Sequence, residues 1–126
     1  MSDEPRHWHY GTPMSEWIEQ VANELPDDAV GLWKIVPDGR RGFGFKGDAL
    51  IDYVRRQITE LVSRGAVPVR GGSAGGHYWI VQRQYGFRPE EIVENVMREW
   101  IARGATEEDP GWLWFSLPKY AWTPPE

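Results

Sequence analysis

The sequence predicts an α+β fold: an antiparallel sheet of about five strands with three helices, in the order α-β-β-α-β-β-α-β. Three observations carry this. Apolar residues recur at three- and four-residue steps in three segments, the spacing of one helix face. Short runs rich in β-branched and aromatic residues lie between those segments. Glycine and proline separate the two kinds of segment. At 126 residues and 40% hydrophobic, the chain suits one domain with a core of useful size.

The first predicted helix carries Met14, Trp17, Ile18, Val21, Ala22 and Leu25 on one face, with Thr12 as its cap, Pro13 in its first turn and Pro26 ending it. The first hairpin follows. Its strands are "VGLWKIV" (30–36) and "RRGFGF" (40–45), and "PDG" between them is a turn signal. The second helix shows Leu50, Ile51, Val54, Ile58, Leu61 and Val62, capped by Asp48 and stopped by Gly65. A short strand "AVPV" (66–69), which its proline assigns to a sheet edge, pairs with "HYWIVQ" (77–82). The third helix opens at "PEE" (89–91), presents Ile92, Val93, Val96, Met97, Trp100 and Ile101, and closes at Gly104. "GWLWFSL" (111–117) is the last strand. Residues 1–11 read as a mobile segment, and 106–110 and the tail 119–126 as solvated connections. "SRGA" (63–66) and "ARGA" (102–105) end two helices alike, which suggests a degenerate helix-hairpin repeat.

The net charge of −5 disfavours a polyanionic partner, but it is unevenly spread: residues 1–33 carry −6, 34–70 carry +4 and 71–126 carry −3. There is no cysteine, so disulfides and thiolate chemistry are excluded. No apolar run approaches the roughly 20 residues of a membrane span. The N-terminal residues lack a signal-peptide pattern, and a cytoplasmic protein is the expectation.

Three motifs invite chemistry and fall short of it. "RRGFGF" resembles the aromatic strand of an RNA-recognition motif, whose aromatics stack on bases. Here Lys46-Gly47-Asp48 starts a helix where that strand should continue, and a helix precedes it where an aromatic strand belongs. Phe43 and Phe45 are therefore expected to face the core. "GGSAG" (71–75) fits the spacing of a nucleophile elbow around Ser73, but the segment after it is a strand, whereas the elbow needs a helix. His7 and His9, with His77, give no four-ligand spacing, so neither metal nor cofactor is expected. Asp52, Arg56, Glu60 and Arg64, and likewise Glu94 with Arg98 and Glu99 with Arg103, stand at four-residue steps and read as self-compensating solvated faces.

The eight tryptophans are the feature that composition leaves unexplained. Trp17 and Trp100 fall on helix core faces, and Trp33 and Trp79 within strands. Strand alternation puts Trp112 and Trp114 on one face and Leu113, Phe115 and Leu117 on the other. The tryptophan face is then either covered or open to bind something, and Tyr120 and Trp122 can fold back over it. Tryptophan with nearby arginine is the composition of a protein-binding hot spot. The expected partner-binding residues are Trp79, Trp112 and Trp114 with Arg83 and Arg88.

The functional expectation is a small acidic, non-enzymatic protein that binds another protein, in its most concrete form an inhibitor of the toxin-immunity or antitoxin kind. The first alternative is a ligand- or nucleic-acid-binding module that uses the aromatic sheet face and the basic 34–70 segment. Arg40, Arg41 and Arg70 would then bind the anion. The second alternative is a small enzyme built on carboxylate and arginine chemistry.

Overall fold

The computed structural model describes residues 4–125. It is α+β, with four helices and a mixed five-stranded sheet: α1 (Met14–Ala22), β1 (Val30–Gly31), α2 (Leu32–Pro37), α3 (Gly47–Ser63), β2 (Val67–Ala74), β3 (His77–Val81), α4 (Pro89–Ala102), β4 (Trp114–Ser116) and β5 (Ala121–Trp122). The strand order is β1-β4-β2-β3-β5. Four strands pair antiparallel, and β5 joins β3 in parallel.

The three predicted helices form where their apolar spacing places them. Their faces meet in one core with Val30, Leu113 and Phe115 from the sheet. Ile101 is the exception, being 42% exposed at the end of α4. Side-chain caps are absent: Pro13 and Lys46 stand at the N-cap positions of α1 and α3, and Asp48 lies in the first turn of α3. Both Arg-Gly-Ala endings are the same Schellman cap. The N–H groups of Gly65 and Ala66 donate to Val62 and Leu61, those of Gly104 and Ala105 to Ile101 and Trp100, and both glycines have φ near +95°. The likeness stops at the cap, because α3 runs into a hairpin and α4 into the single strand β4.

The first hairpin does not form. Only Val30 and Gly31 are extended; α2 follows, and residues 38–42 close in a wide helical turn. The reason lies in the spacing. Leu32, Ile35 and Val36, at i, i+3 and i+4, are buried together, which a strand would not allow. The two glycines of "DGRRG" permit close approach: a Cβ at Gly39 would lie 2.6 Å from the Tyr53 ring, and one at Gly42 would lie 2.7 Å from the His7 ring. Phe43 and Phe45 stack on each other at 5.5 Å and pack on Tyr53, so they cap the core from a loop.

The second hairpin is longer than the sequence suggested. β2 extends to Ala74 and turns through Gly75-Gly76, both at positive φ, which is the two-residue turn that suits strand twist. Far from lying at an edge, β2 is central. Its Pro68 lies opposite Gln82, just past the end of β3, and accepts from the Gln82 N–H at 2.9 Å, so the missing N–H costs only one reciprocal bond at the end of that ladder.

The chain end is also built in. Between β4 and β5 the chain must pass β2 and β3, three strand spacings or about 14 Å on a flat sheet. Only residues 117–120 make the link, and Pro118–Tyr120 form a compact helical turn. Parallel partners ordinarily need a dozen or more linking residues. A link this short requires a strongly curled sheet. A one-residue bulge in β2 between Gly71 and Ala74 contributes bend. The Tyr120 hydroxyl donates to the Pro26 carbonyl, which joins the segment before β5 to the segment before β1. The link runs past Val67 and Val81, so the curl makes that face the concave one, while Val30 and Phe115 point the other way into the helical core.

The N-terminal segment, read from sequence as mobile, is docked from Pro5 onward. The Trp8 N–H donates to Gly42 O and the Met14 N–H to Pro5 O, both at 2.8 Å. His7 is buried and stacks on Trp17 with ring centroids 4.3 Å apart. Residues 1–3 lie outside the described residues. The 106–110 connection is likewise tied down. Trp100 Nε1 donates to Thr106 O at 2.9 Å, Glu107 pairs with Arg40 and Arg41, and Glu108 pairs with Arg103.

Candidate functional site

The pairing register sorts the sheet residues onto two faces. Val30 faces the helices with Phe115. The alternate residues, Gly31, Trp114, Val69, Gly71, Trp79, Val81 and Ala121, share the concave face, on which Val69 and Ala121 are buried and Pro118 lies beside Val81. Along it runs a strip of three tryptophans. Trp79 and Trp114 have ring centroids 5.1 Å apart, and Trp114 and Trp33 are 6.0 Å apart. The strip follows from small residues beneath it. A Cβ at Gly31 would lie 2.8 Å from Trp33 Nε1 and 2.9 Å from Trp114 Cδ2. Gly31 thus lets both rings lie against the strand. An added Cβ at Gly71, which pairs with Trp79, would meet nothing, so the face opens there. Trp33 is 42% exposed, and Trp79 and Trp114 are half-buried. The Trp114 indole is held by a hydrogen bond to Pro110 O at 2.8 Å.

At its β3 end the strip opens into a cleft of about 310 Å³. Trp79, Tyr78 and Tyr120 supply its aromatic surface, and Asp27 and Asp28, just before β1, supply carboxylates; His77, Ser116 and Lys119 complete it. Asp28 Oδ1 accepts from the Ala29 N–H at 2.8 Å, which fixes that side chain. Among the described residues neither aspartate has a cationic partner within ion-pair distance. The Lys119 ammonium lies over the Tyr120 ring, 5.1 Å from its centroid. The Ser116 hydroxyl is buried and donates to Leu117 O, and no hydrogen bond joins His77 to either aspartate or to Ser116 among the described residues. The cleft thus holds no assembled nucleophile and base.

The residues singled out by sequence are distributed unequally about this site. Trp79 and Trp114 belong to it. Trp112 does not. The strand begins only at Trp114, so alternation does not extend back to Trp112, which is buried in the core under the Arg103 guanidinium at 4.2 Å. Arg83 donates to Pro124 O at 2.5 Å and covers the Phe87 ring. It borders a separate apolar pocket with Phe87, Ile92 and Pro118. Arg88 is exposed, 4.0 Å from Glu90. Trp33, Tyr78, Asp27 and Asp28 were not among the predicted site residues, and Tyr120 was expected only to fold back over the tryptophan face. The signal for Trp33 was present in Gly31 beside a helix-spaced run, whereas the others depend on sheet curl.

The basic middle block is largely consumed in ion pairs. Lys34 pairs with Glu24, Arg40 and Arg41 with Glu107, Arg55 with Glu94, and Arg64 with Glu60. Arg40 and Arg41 share Glu107, whereas Arg70 donates to Gly111 O at 3.4 Å, so the three arginines considered for an anion have no partner common to all. Of the expected same-helix ladders only Glu60–Arg64 forms; Glu94 and Arg103 pair with residues of other elements.

A second polar cluster gathers around Asp38. The Trp17 indole N–H and the Tyr53 hydroxyl are buried and make no hydrogen bond of good geometry, yet the indole lies near enough to Asp38 and Tyr53 to influence both. Burial raises the Asp38 carboxyl above its ordinary value, partly offset by Lys34, Trp17 and His7. Burial, and then the charge of Asp38, raises the Tyr53 hydroxyl strongly. His7 Nδ1 accepts from the N–H groups of His9 and Tyr10 at 3.1 and 3.4 Å, a structural use of the ring.

Among the described residues, no group of three or more His, Asp or Glu is arranged to hold a metal, and no helix is long and apolar enough to cross a membrane. Comparison with protein-family models, curated proteins and solved structures finds no match to this chain.

Proposed function

We propose that the chain is a partner-binding protein that engages a basic protein through the concave face of its sheet. The carrying observation is the half-open strip Trp79–Trp114–Trp33 on the sheet face turned away from Phe115 and the helical core. Exposed apolar surface of this kind marks interaction sites. Tryptophan contributes strongly there because it buries a large rigid area while its N–H keeps a polar contact. The charge supports a basic partner. The net charge is −5, the strip ends at Asp27 and Asp28, and the arginines of the middle block are mostly neutralised within the molecule. Opposite charge steers such encounters and rejects like-charged competitors. In its most concrete form the chain is an inhibitor of the immunity or antitoxin kind, one that occludes the working surface of a basic toxin.

The test compares Trp33→Ala and Trp114→Ala with Arg98→Ala, an exposed change on α4. Each folded variant is used to recover interacting protein from extract of the source cells. A basic protein held by the parent and by Arg98→Ala, but lost by both tryptophan variants, is the expected result. Its retention by both tryptophan variants would remove the concave face as the binding surface.

A further inference from the structure

We infer that the cleft beside Trp79 is a receptor for a single cationic side chain, an arginine guanidinium presented by the partner. This deepens the reading of the concave face and rests on it. Three features of the cleft point to that chemistry. Its volume, about 310 Å³, lies at the small end of ligand pockets, so it takes one side chain and not an element of structure. Its lining residues include Trp79, Tyr78 and Tyr120, of which Tyr78 is 79% exposed and Tyr120 37% exposed. Aromatic faces attract cations through the ring quadrupole, and Trp does so best. Its third component is Asp27 and Asp28, which have no counter-ion among the described residues. Only Asp28 Oδ1 is engaged, by the Ala29 N–H, which leaves acceptor oxygens on both carboxylates for the fork of a guanidinium.

A guanidinium fits better than an ammonium. It is planar, stacks on aromatic rings, is weakly hydrated and carries five donors in a fixed array. The other polar lining does not reverse the preference. Lys119 already covers Tyr120, so the aromatic surface left for an incoming cation is that of Trp79 and Tyr78, and His77 lies at the same rim. An anionic occupant would meet two carboxylates of like charge at the lining, a cost that falls on the wrong ligand.

The test uses nuclear magnetic resonance of the full chain titrated with N-acetyl-arginine methylamide. N-acetyl-citrulline methylamide, of nearly the same shape without the charge, is the comparison. The expected result is a saturable shift of the Trp79 indole and the Tyr78 and Trp79 amides with the arginine probe, and at least tenfold weaker binding of the citrulline probe. Asp27→Asn with Asp28→Asn should weaken the arginine probe at least tenfold, about 1.4 kcal/mol. Both positions are exposed, and Asn at 28 keeps the acceptor for Ala29, so the variant retains the fold. Equal response to both probes, shifts confined to other residues, no shift at all, or affinity unchanged in the double variant would each overturn the proposal. The probe reads the cleft without any partner. Failure here, with partner loss still seen for Trp33→Ala and Trp114→Ala, removes the arginine receptor and leaves the concave-face reading standing.

Discussion

Trp112 and Trp114 stand two residues apart, and truncating each to alanine should give unlike results. Trp112 is 7% exposed and belongs to the core cluster. An aromatic side chain of this kind buries about 150–250 Å². At about 25 cal/mol per Å² that is about 4–6 kcal/mol, an upper bound because the unfolded chain is already partly collapsed. Large-to-small changes in cores give about 3–5 kcal/mol, which agrees. Trp114 is half-buried on the concave face, so about half the area is at stake, and its hydrogen bond to Pro110 O can be replaced by water. A cost of about 2 kcal/mol follows. Urea unfolding gives both numbers. For a chain of this size the difference corresponds to roughly 6–10 °C in melting temperature. If Trp114→Ala costs as much as Trp112→Ala, the concave face is core and the open-strip reasoning fails. If Trp112→Ala costs less than about 1 kcal/mol, the burial of Trp112 is wrong.

Three further outcomes are expected. Gly31→Ala should splay the Trp33 and Trp114 rings, costing about 1–3 kcal/mol and changing the near-ultraviolet circular dichroism. An unchanged spectrum and melting temperature would contradict the rings' placement over that strand. Gly42→Ala should push His7 off Trp17 and raise amide exchange at His9 and Tyr10, whose N–H groups His7 accepts; unaltered protection would refute the docking of the N-terminal turn. Asp38→Asn should gain stability relative to the parent as pH rises from about 4 to neutral. Burial raises the folded carboxyl above its ordinary 3.8, so the folded state binds that proton more tightly and the parent loses stability across that window. A gain that shrinks with pH would reverse the sign of the argument.

Helices with a full apolar stripe were legible in the sequence because each stripe repeats over three or more turns. The short α2 was not. "VGLWKIV" is rich in strand formers, and its helical spacing covers barely one turn, so propensity and period disagree; burial of Leu32, Ile35 and Val36 decides for the helix. Pro68 misled in a different way, since its cost depends on where the neighbouring strand ends, which only the register reveals. That Trp79 and Trp114 share one sheet face was not legible, because it depends on the register. The expected pairing of Trp112 with Trp114 fails because alternation holds only inside a strand and Trp112 precedes β4. Asp27, Asp28 and Tyr120 enter the cleft through the curl of the sheet and a four-residue crossing, neither of which leaves a local pattern.

Site-specific photo-crosslinking tests the concave-face claim most directly. A photoreactive amino acid is placed at position 78 on the cleft, at 71 on the open face above Gly71, and at 98 on the outer surface of α4. The account predicts that one basic protein crosslinks from 78 and 71, does not crosslink from 98, and disappears from both when Trp114→Ala is added. Crosslinking of that protein from 98 alone, or undiminished crosslinking in the presence of Trp114→Ala, would contradict it.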